Sequence, residues 1–175
     1  MADPPQNVYW DSCAWIGFIN EEPDKITPLR AIWDEASRGR IVIWTSTYSY
    51  LEVMRSPPKF GEAYPPEEED GRIFSMLEQP YVNRVAVDTE IAKLARRLKR
   101  DHHPTLSKRP DAIHLATAVL HNVDELHTWD SSDLLPFNGK IHRRDGVPLV
   151  ICIPSAHPAG PLFESKEESG QDDDE

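Results

Sequence analysis

The run Ile41–Thr45 (IVIWT) limits the choice of fold more than any other segment. It is a stretch of β-forming residues without polar alternation, the pattern of a strand covered on both faces. Such a strand belongs in a parallel sheet with helices above and below it. The remaining chain supplies both kinds of element. Asn7–Trp10 reads as a first strand ending at Asp11, followed by a helix over Ser12–Asn20 that Asp11 or Ser12 begins. Thr27–Arg38 places Leu29, Ile32, Trp33 and Ala36 at helical spacing, and Gly39 is a C-terminal stop. After the central run, Ser46 or Thr47 caps a helix carrying Tyr50, Leu51, Glu52, Val53 and Met54, which Pro57 and Pro58 end. A short helix is expected near Gly71–Glu78, and a strand at Asn83–Val87. Asp88 then caps an amphipathic helix with Ile91, Ala92, Leu94, Ala95 and Leu98 on one side. SKRPDAIHLATAVL reads as a helix capped by Ser107 and apolar nearly all round. Glu125–Trp129 and Pro148–Ile153 read as the last strands. Strands separated by helical crossovers predict a three-layer α/β/α sandwich with a central parallel sheet.

A length of 175 residues suits one domain, placed at 7–153 with an insertion at about 56–80. Residues 56–70 are rich in proline and acid, and 154–175 have the composition of a disordered acidic tail. No apolar run is long enough to span a membrane, and the N-terminus lacks a signal-peptide layout, so a cytoplasmic protein is expected. Cys13 and Cys152 form no metal-spacing motif and read as buried thiols. The net charge of −11 argues against loose electrostatic binding to nucleic acid. Removing the seven acids after Phe163 together with Lys166 takes it from −11 to −5, so overall charge does not decide the partner.

Chemistry in open parallel sheets collects outside the carboxyl ends of the strands. Asp11 and Asp130 follow two such ends, Glu52 lies seven residues past Thr45, and Asp111 sits in the first turn of the Ser107 helix. Each alone is an ordinary cap or surface acid. Four converging carboxylates repel one another unless a cation lies among them. Hard oxygen donors without His or Cys suit Mg²⁺ or Mn²⁺, ions that activate water for in-line displacement at phosphorus. His114 reads as a satisfied core or rim histidine and His102–His103 as a loop pair. Arg96, Arg97, Arg100, Lys108 and Arg109 read first as solvated surface, with a phosphate-tracking rim toward Asp111 as the alternative. Trp15, Trp33 and Trp44 read as core; Trp129 is the one tryptophan placed to stack on a base.

Four segments taken in order resemble a known family. VYWDSCAWIGFI, TSTYSYLEVMR, SKRPDAIHLATAVL and TWDSSDL are similar to the four acid-bearing segments of PIN-domain nucleases, above all the VapC-type toxin ribonucleases. The resemblance covers roughly residues 7–136. It implies a parallel α/β/α sandwich, one or two Mg²⁺ or Mn²⁺ ions, and hydrolysis of RNA. It puts Asp11, Glu52, Asp111 and Asp130 on the metal-binding acids, with Asp133 a further candidate. Ser12, Ser46 and Thr128 neighbour the site as orienting groups. A homodimer and a cognate antitoxin are the implied partners. The expected activity is a metal-dependent endoribonuclease, the toxin of a toxin–antitoxin pair. The alternatives are a non-catalytic RNA- or protein-binding scaffold and an RNA-maturation nuclease. The 56–70 segment, the long stretch from Pro136 to Ile153 and the acidic tail depart from the compact family pattern.

Overall fold

The structure, a computed structural model, describes residues 4–54, 63 and 67–155. The expected acidic tail from 156 onward and most of the proline- and acid-rich 56–70 segment lie outside the described residues. Strand β1 (Gln6–Trp10) alternates cleanly: Val8 and Trp10 face one layer, Tyr9 the other. Helix α1 (Ser12–Ile19) follows at once, and α2 (Ile26–Ser37) packs beside it. Gly17 permits that approach, since a Cβ there would meet Lys25 Cδ at 2.8 Å. Gly39, at φ +77, ends α2 in the left-handed conformation expected of a glycine stop.

Strand β2 (Ile41–Ser46) is the IVIWT run and is covered on both faces, as its composition requires. Helix α3 (Ser49–Glu52) is shorter than the helix expected there, because Val53 leaves it in an extended conformation and packs into the core. Helix α4 (Glu67–Leu77) begins earlier than expected, and its Ile73 and Leu77 join the layer of α1 and α2. Then come β3 (Val82–Val85), α5 (Thr89–Asp101), α6 (Arg109–Leu120), β4 (Glu125–His127), a 3₁₀ turn (Leu135–Phe137) and β5 (Val150–Cys152). Asp88 caps α5 as predicted, its carboxylate accepting from Ile91 N–H at 2.9 Å.

All five strands are parallel, in the order β3-β2-β1-β4-β5. The α1, α2 and α4 side is dominated by aromatic rings: Trp10 lies 5.0 Å from Trp15 and Trp33 lies 4.7 Å from Phe18, centroid to centroid. Such pairs contribute roughly 0.5–1.5 kcal/mol each beyond the area they bury. The α5 and α6 side is aliphatic, with Leu98, Leu115, Val119, Leu126 and Ile151 at its centre. Trp15 is fully buried as expected, while Trp33 and Trp44 are only partly so. The two thiols are half-buried rather than fully buried. No helix among the described residues is long and apolar enough to cross a membrane.

The chain runs outward from β1 to β2 and β3, then returns to lay β4 on the opposite side of β1. The point of reversal lies between β1 and β4. Crevices at such points, outside the carboxyl ends of the strands, are where open α/β sheets hold their ligands.

Candidate metal centre

Asp11 and Asp130 leave adjacent strands at that crevice. Asp11 is almost wholly buried and caps α1, with Oδ1 accepting from Ala14 N–H at 2.9 Å. It also accepts a hydrogen bond from Thr128. The capping role weighed for it from sequence is thus present, and it does not use up the carboxylate. Beyond β4, Thr128 Oγ1 turns back to accept from Asp130 N–H. Asp130 Oδ1 in turn accepts from the backbone of Ser132 and Asp133, which closes the Asp130–Asp133 turn.

The start of α6 differs from the sequence expectation. Ser107 does not cap it; Lys108 occupies the cap position and no side chain bonds there. Asp133 takes over instead. Its Oδ2 accepts from Ser107 N–H, Ser107 Oγ and Lys108 N–H, each at 2.9 Å. One carboxylate therefore pins the entry of α6 to the turn after β4. That places Asp111, in the first turn of α6, against Asp130 and Asp133. One oxygen from each of the three lies within 4.8 Å of the others.

Charge in this trio is uneven. Asp111 is 7% exposed, and its Oδ2 has no hydrogen-bond partner among the described residues. Burial, opposed by Lys108 and reinforced by the Asp130 charge, pushes its carboxyl up to about 6. Asp11 is also raised by burial, partly offset by His114. Asp130 goes the other way: burial works against its charge, but hydrogen bonds from Lys108, Ser132 and the Asp133 backbone hold it at about 2. Asp133 is likewise lowered against its burial by its bonds to Lys108 and Ser107.

Lys108, read from sequence as solvated surface or, alternatively, a phosphate-tracking rim, reaches inward instead. Its ammonium lies 2.5 Å from Asp130, 3.5 Å from Asp111 and 3.8 Å from Asp133. It occupies the place a cation among these acids would take, although its side chain remains 52% exposed. Replacing it by glutamine, Lys108→Gln, removes that competitor. We expect Mn²⁺ to bind about tenfold more tightly, while the metal-free protein loses on the order of 1 kcal/mol. Isothermal titration and thermal melts with and without Mn²⁺ read both effects; an unchanged affinity would show that Lys108 does not compete.

Glu52 stands apart from the trio. Its Oε2 is 2.7 Å from His114 Nε2, and His114 Nδ1 is 2.8 Å from the Tyr9 hydroxyl. His114 is completely buried. Burial opposes a charge there, yet Tyr9 and the Glu52 carboxylate outweigh it and raise the imidazole to about 10. A protonated ring donates from both nitrogens and supplies positive charge behind Asp11 and Asp111. The reading of His114 as a satisfied core histidine holds, since it is fully buried with both ring nitrogens bonded. Its partnership with Glu52 is what the sequence did not show.

Of the orienting groups, Thr128 bridges Asp11 and Asp130, Ser46 is buried with its Oγ unpaired among the described residues, and Ser12 is the half-buried first residue of α1. Arg96, Lys99 and Arg109 rim a groove of about 460 Å³ floored by Ala92, Ala95, Ala112 and Ile113. Arg97 and Arg100 are exposed on α5 outside that groove. Trp129 is half-buried with Lys25 Nζ 5.2 Å from its ring centroid, so a cation already covers it.

Hard carboxylate oxygens are gathered at the reversal point of a parallel α/β/α sandwich. The chain belongs to the PIN domain family, whose profile matches residues 8–133. No curated protein matches the sequence. Among solved structures the fold is similar to Mycobacterium tuberculosis VapC20, described as a sarcin–ricin loop cleaving toxin. That likeness has a TM-score of 0.54 at 12% identity and covers 70% of this chain and 89% of the other. A toxin–antitoxin complex from Klebsiella pneumoniae aligns with TM-score 0.51 at 23% identity, over 72% of this chain and 88% of that one. VapBC2 from Rickettsia felis, bound to a DNA fragment from its promoter, aligns with TM-score 0.52 at 14% identity, over 85% and 98%. At these identities the likeness concerns the fold.

Proposed function

We propose that the chain is a Mg²⁺- or Mn²⁺-dependent endoribonuclease that acts as the toxin of a toxin–antitoxin pair. The observation that carries this reading is the oxygen trio of Asp111, Asp130 and Asp133, with a buried Asp111 oxygen left without a hydrogen bond. That donor set fits a hard divalent ion: all oxygen, no thiolate or imidazole. Asp111 and Asp130 are the principal donors, Asp133 fixes the α6 entry and adds an oxygen, and Asp11 stands beside them. Glu52 acts through His114, whose charge offsets the neighbouring acids. When bound, the ion supplies Lewis-acid polarisation of the phosphodiester and a nucleophilic water at neutral pH. The cationic groove rim at Arg96, Lys99 and Arg109 suits the phosphates of the strand. The neighbours' toxin and toxin–antitoxin descriptions favour an antitoxin partner; a homodimer in the cytoplasm completes the proposal.

The pH dependence follows from Asp111. Its folded-state value, about 6, lies above the ordinary 3.8, so the native fold holds that proton more tightly than the unfolded chain. In the absence of metal, this group costs stability as pH rises through about 6. Ionisation is what the cation requires. RNA cleavage in Mn²⁺ should therefore rise about fivefold from about pH 5 to about pH 6, about twofold more above that, and then level off. Cleavage that persists in EDTA, or a profile flat across that interval, would overturn the proposal.

A further inference from the structure

A second group of donors lies on the sheet away from the oxygen trio. Glu125 and His127 alternate onto one face of β4, and Cys152 is the register partner of His127 on β5. This is the α1 side of the sheet, because Trp10, also in register with His127, packs there. One donor atom from each of Glu125, His127 and Cys152 lies within 4.8 Å of the other two.

The arrangement is centred on a single oxygen. Glu125 Oε2 is 2.7 Å from His127 Nε2 and 3.9 Å from Cys152 Sγ. Its other oxygen, Oε1, is held by Gln6 Nε2 at 3.0 Å, so the free lobe faces the imidazole and the thiol. An anchored ligating carboxylate is the support that metal sites show. His127 is 3% exposed, and its Nδ1 has no partner among the described residues. Nε2, engaged by Glu125, is the nitrogen placed to ligate, and Nδ1 is free to carry the ring proton. Glu125 and Cys152 are only half-buried, which leaves a path from solvent. Val150, in register with Glu125, is 42% exposed, so this edge of the face is thinly covered.

We propose that Glu125, His127 and Cys152 form a Zn²⁺ site distinct from the Mg²⁺/Mn²⁺ centre, tying edge strand β5 to β4. The donor set is one oxygen, one nitrogen and one sulfur. That mixture suits zinc and differs from the all-oxygen trio. Three protein donors leave the fourth tetrahedral position to water. Bonds of about 2.0–2.3 Å require neighbouring donors about 3.3–3.8 Å apart. The Glu125–Cys152 spacing nearly meets this already, and the Glu125–His127 contact opens as the ion replaces the proton between them. The Cys152 thiol releases one proton to solvent on binding, and the imidazole stays neutral, its proton passing to Nδ1. Burial and then the Glu125 charge push the free thiol up to about 12, so the metal-free site holds a thiol.

Co²⁺ titration of the full chain, with Mg²⁺ in excess to fill the oxygen site, tests this directly. Thiolate-to-Co²⁺ charge transfer reports sulfur ligation and is silent for carboxylates. A near-ultraviolet band should saturate at one Co²⁺ per chain and disappear when Zn²⁺ is added. Cys152→Ser should abolish the band, and His127→Gln should weaken Co²⁺ affinity more than about 100-fold, beyond what loss of an outer partner does. Cys13→Ser should leave the band intact. Circular dichroism confirms that each variant is folded before titration. Absence of the band in the parent, or its survival in Cys152→Ser, would overturn the site. RNA cleavage is not read in this experiment, so the outcome is independent of the proposed nuclease activity.

Discussion

Asp111→Asn should lower the proposed RNA cleavage in Mn²⁺ by about a thousandfold, the scale on which one preorganised electrostatic partner acts. That corresponds to ~4 kcal/mol of transition-state stabilisation. The substitution is nearly isosteric at a position 7% exposed, so the fold keeps its shape. Stability moves in the opposite direction to activity. Asp111 carries a buried oxygen without a hydrogen bond beside two further carboxylates. An amide removes that charge, and the metal-free melting temperature should rise by a few degrees at neutral pH. Cleavage assays on a defined RNA and thermal melts in EDTA, run on the same preparations, check both halves. Cleavage at the parental rate would remove Asp111 from the proposed centre. A lower melting temperature would mean that Lys108 already compensates its charge.

Glu52→Gln should act chiefly on stability. Glu52 is the carboxylate partner of a completely buried histidine whose pKa Tyr9 and Glu52 raise to about 10 against its burial. Removing one member of a buried ion pair leaves the other uncompensated, at a cost of roughly 3–5 kcal/mol. His114→Gln alone should also destabilise, since it strands both the Tyr9 hydroxyl and Glu52. The double variant should cost clearly less than the two singles added together, because the orphaned charge is then gone. Urea titrations of the four proteins give the coupling energy. Additive losses would show that Glu52 and His114 do not act as a pair. The comparison also separates two roles for Glu52: a direct metal donor loses Mn²⁺ affinity as strongly as Asp111→Asn does, and a residue acting through His114 does not.

The sheet and the positions of most acids were legible because they rest on local pattern. A strand covered on both faces must be apolar throughout, which IVIWT shows. Acids following strand ends were placed by the parallel topology alone. What the sequence hid depends on contacts across long separations. Ser107 is a good cap by type, but Asp133, 26 residues away, claims both its hydroxyl and its N–H. Glu52 reads from sequence as a metal ligand, and its 2.7 Å contact with His114, 62 residues away, is invisible there. Lys108 belongs by composition to a basic surface, yet three converging carboxylates draw it inward. Helix α3 ended early because core packing of Val53 outweighs its helical pattern. In each case a tertiary partner overrode a sound local preference.

The strand order carries a consequence for the order in which the protein becomes competent. Asp11 emerges before every other strand is made, and β2 can pair with β1 before β3 and β4 follow. The strand that brings Asp130 beside it is β4, which begins at Glu125. Chains fold from the N-terminus as they leave the ribosome. A nascent chain halted before that point can own a folded β1–β2 pair and still lack the oxygen trio. The proposed attack on RNA would then be withheld from the messenger and ribosome producing the chain until β4 and the turn after it have been made.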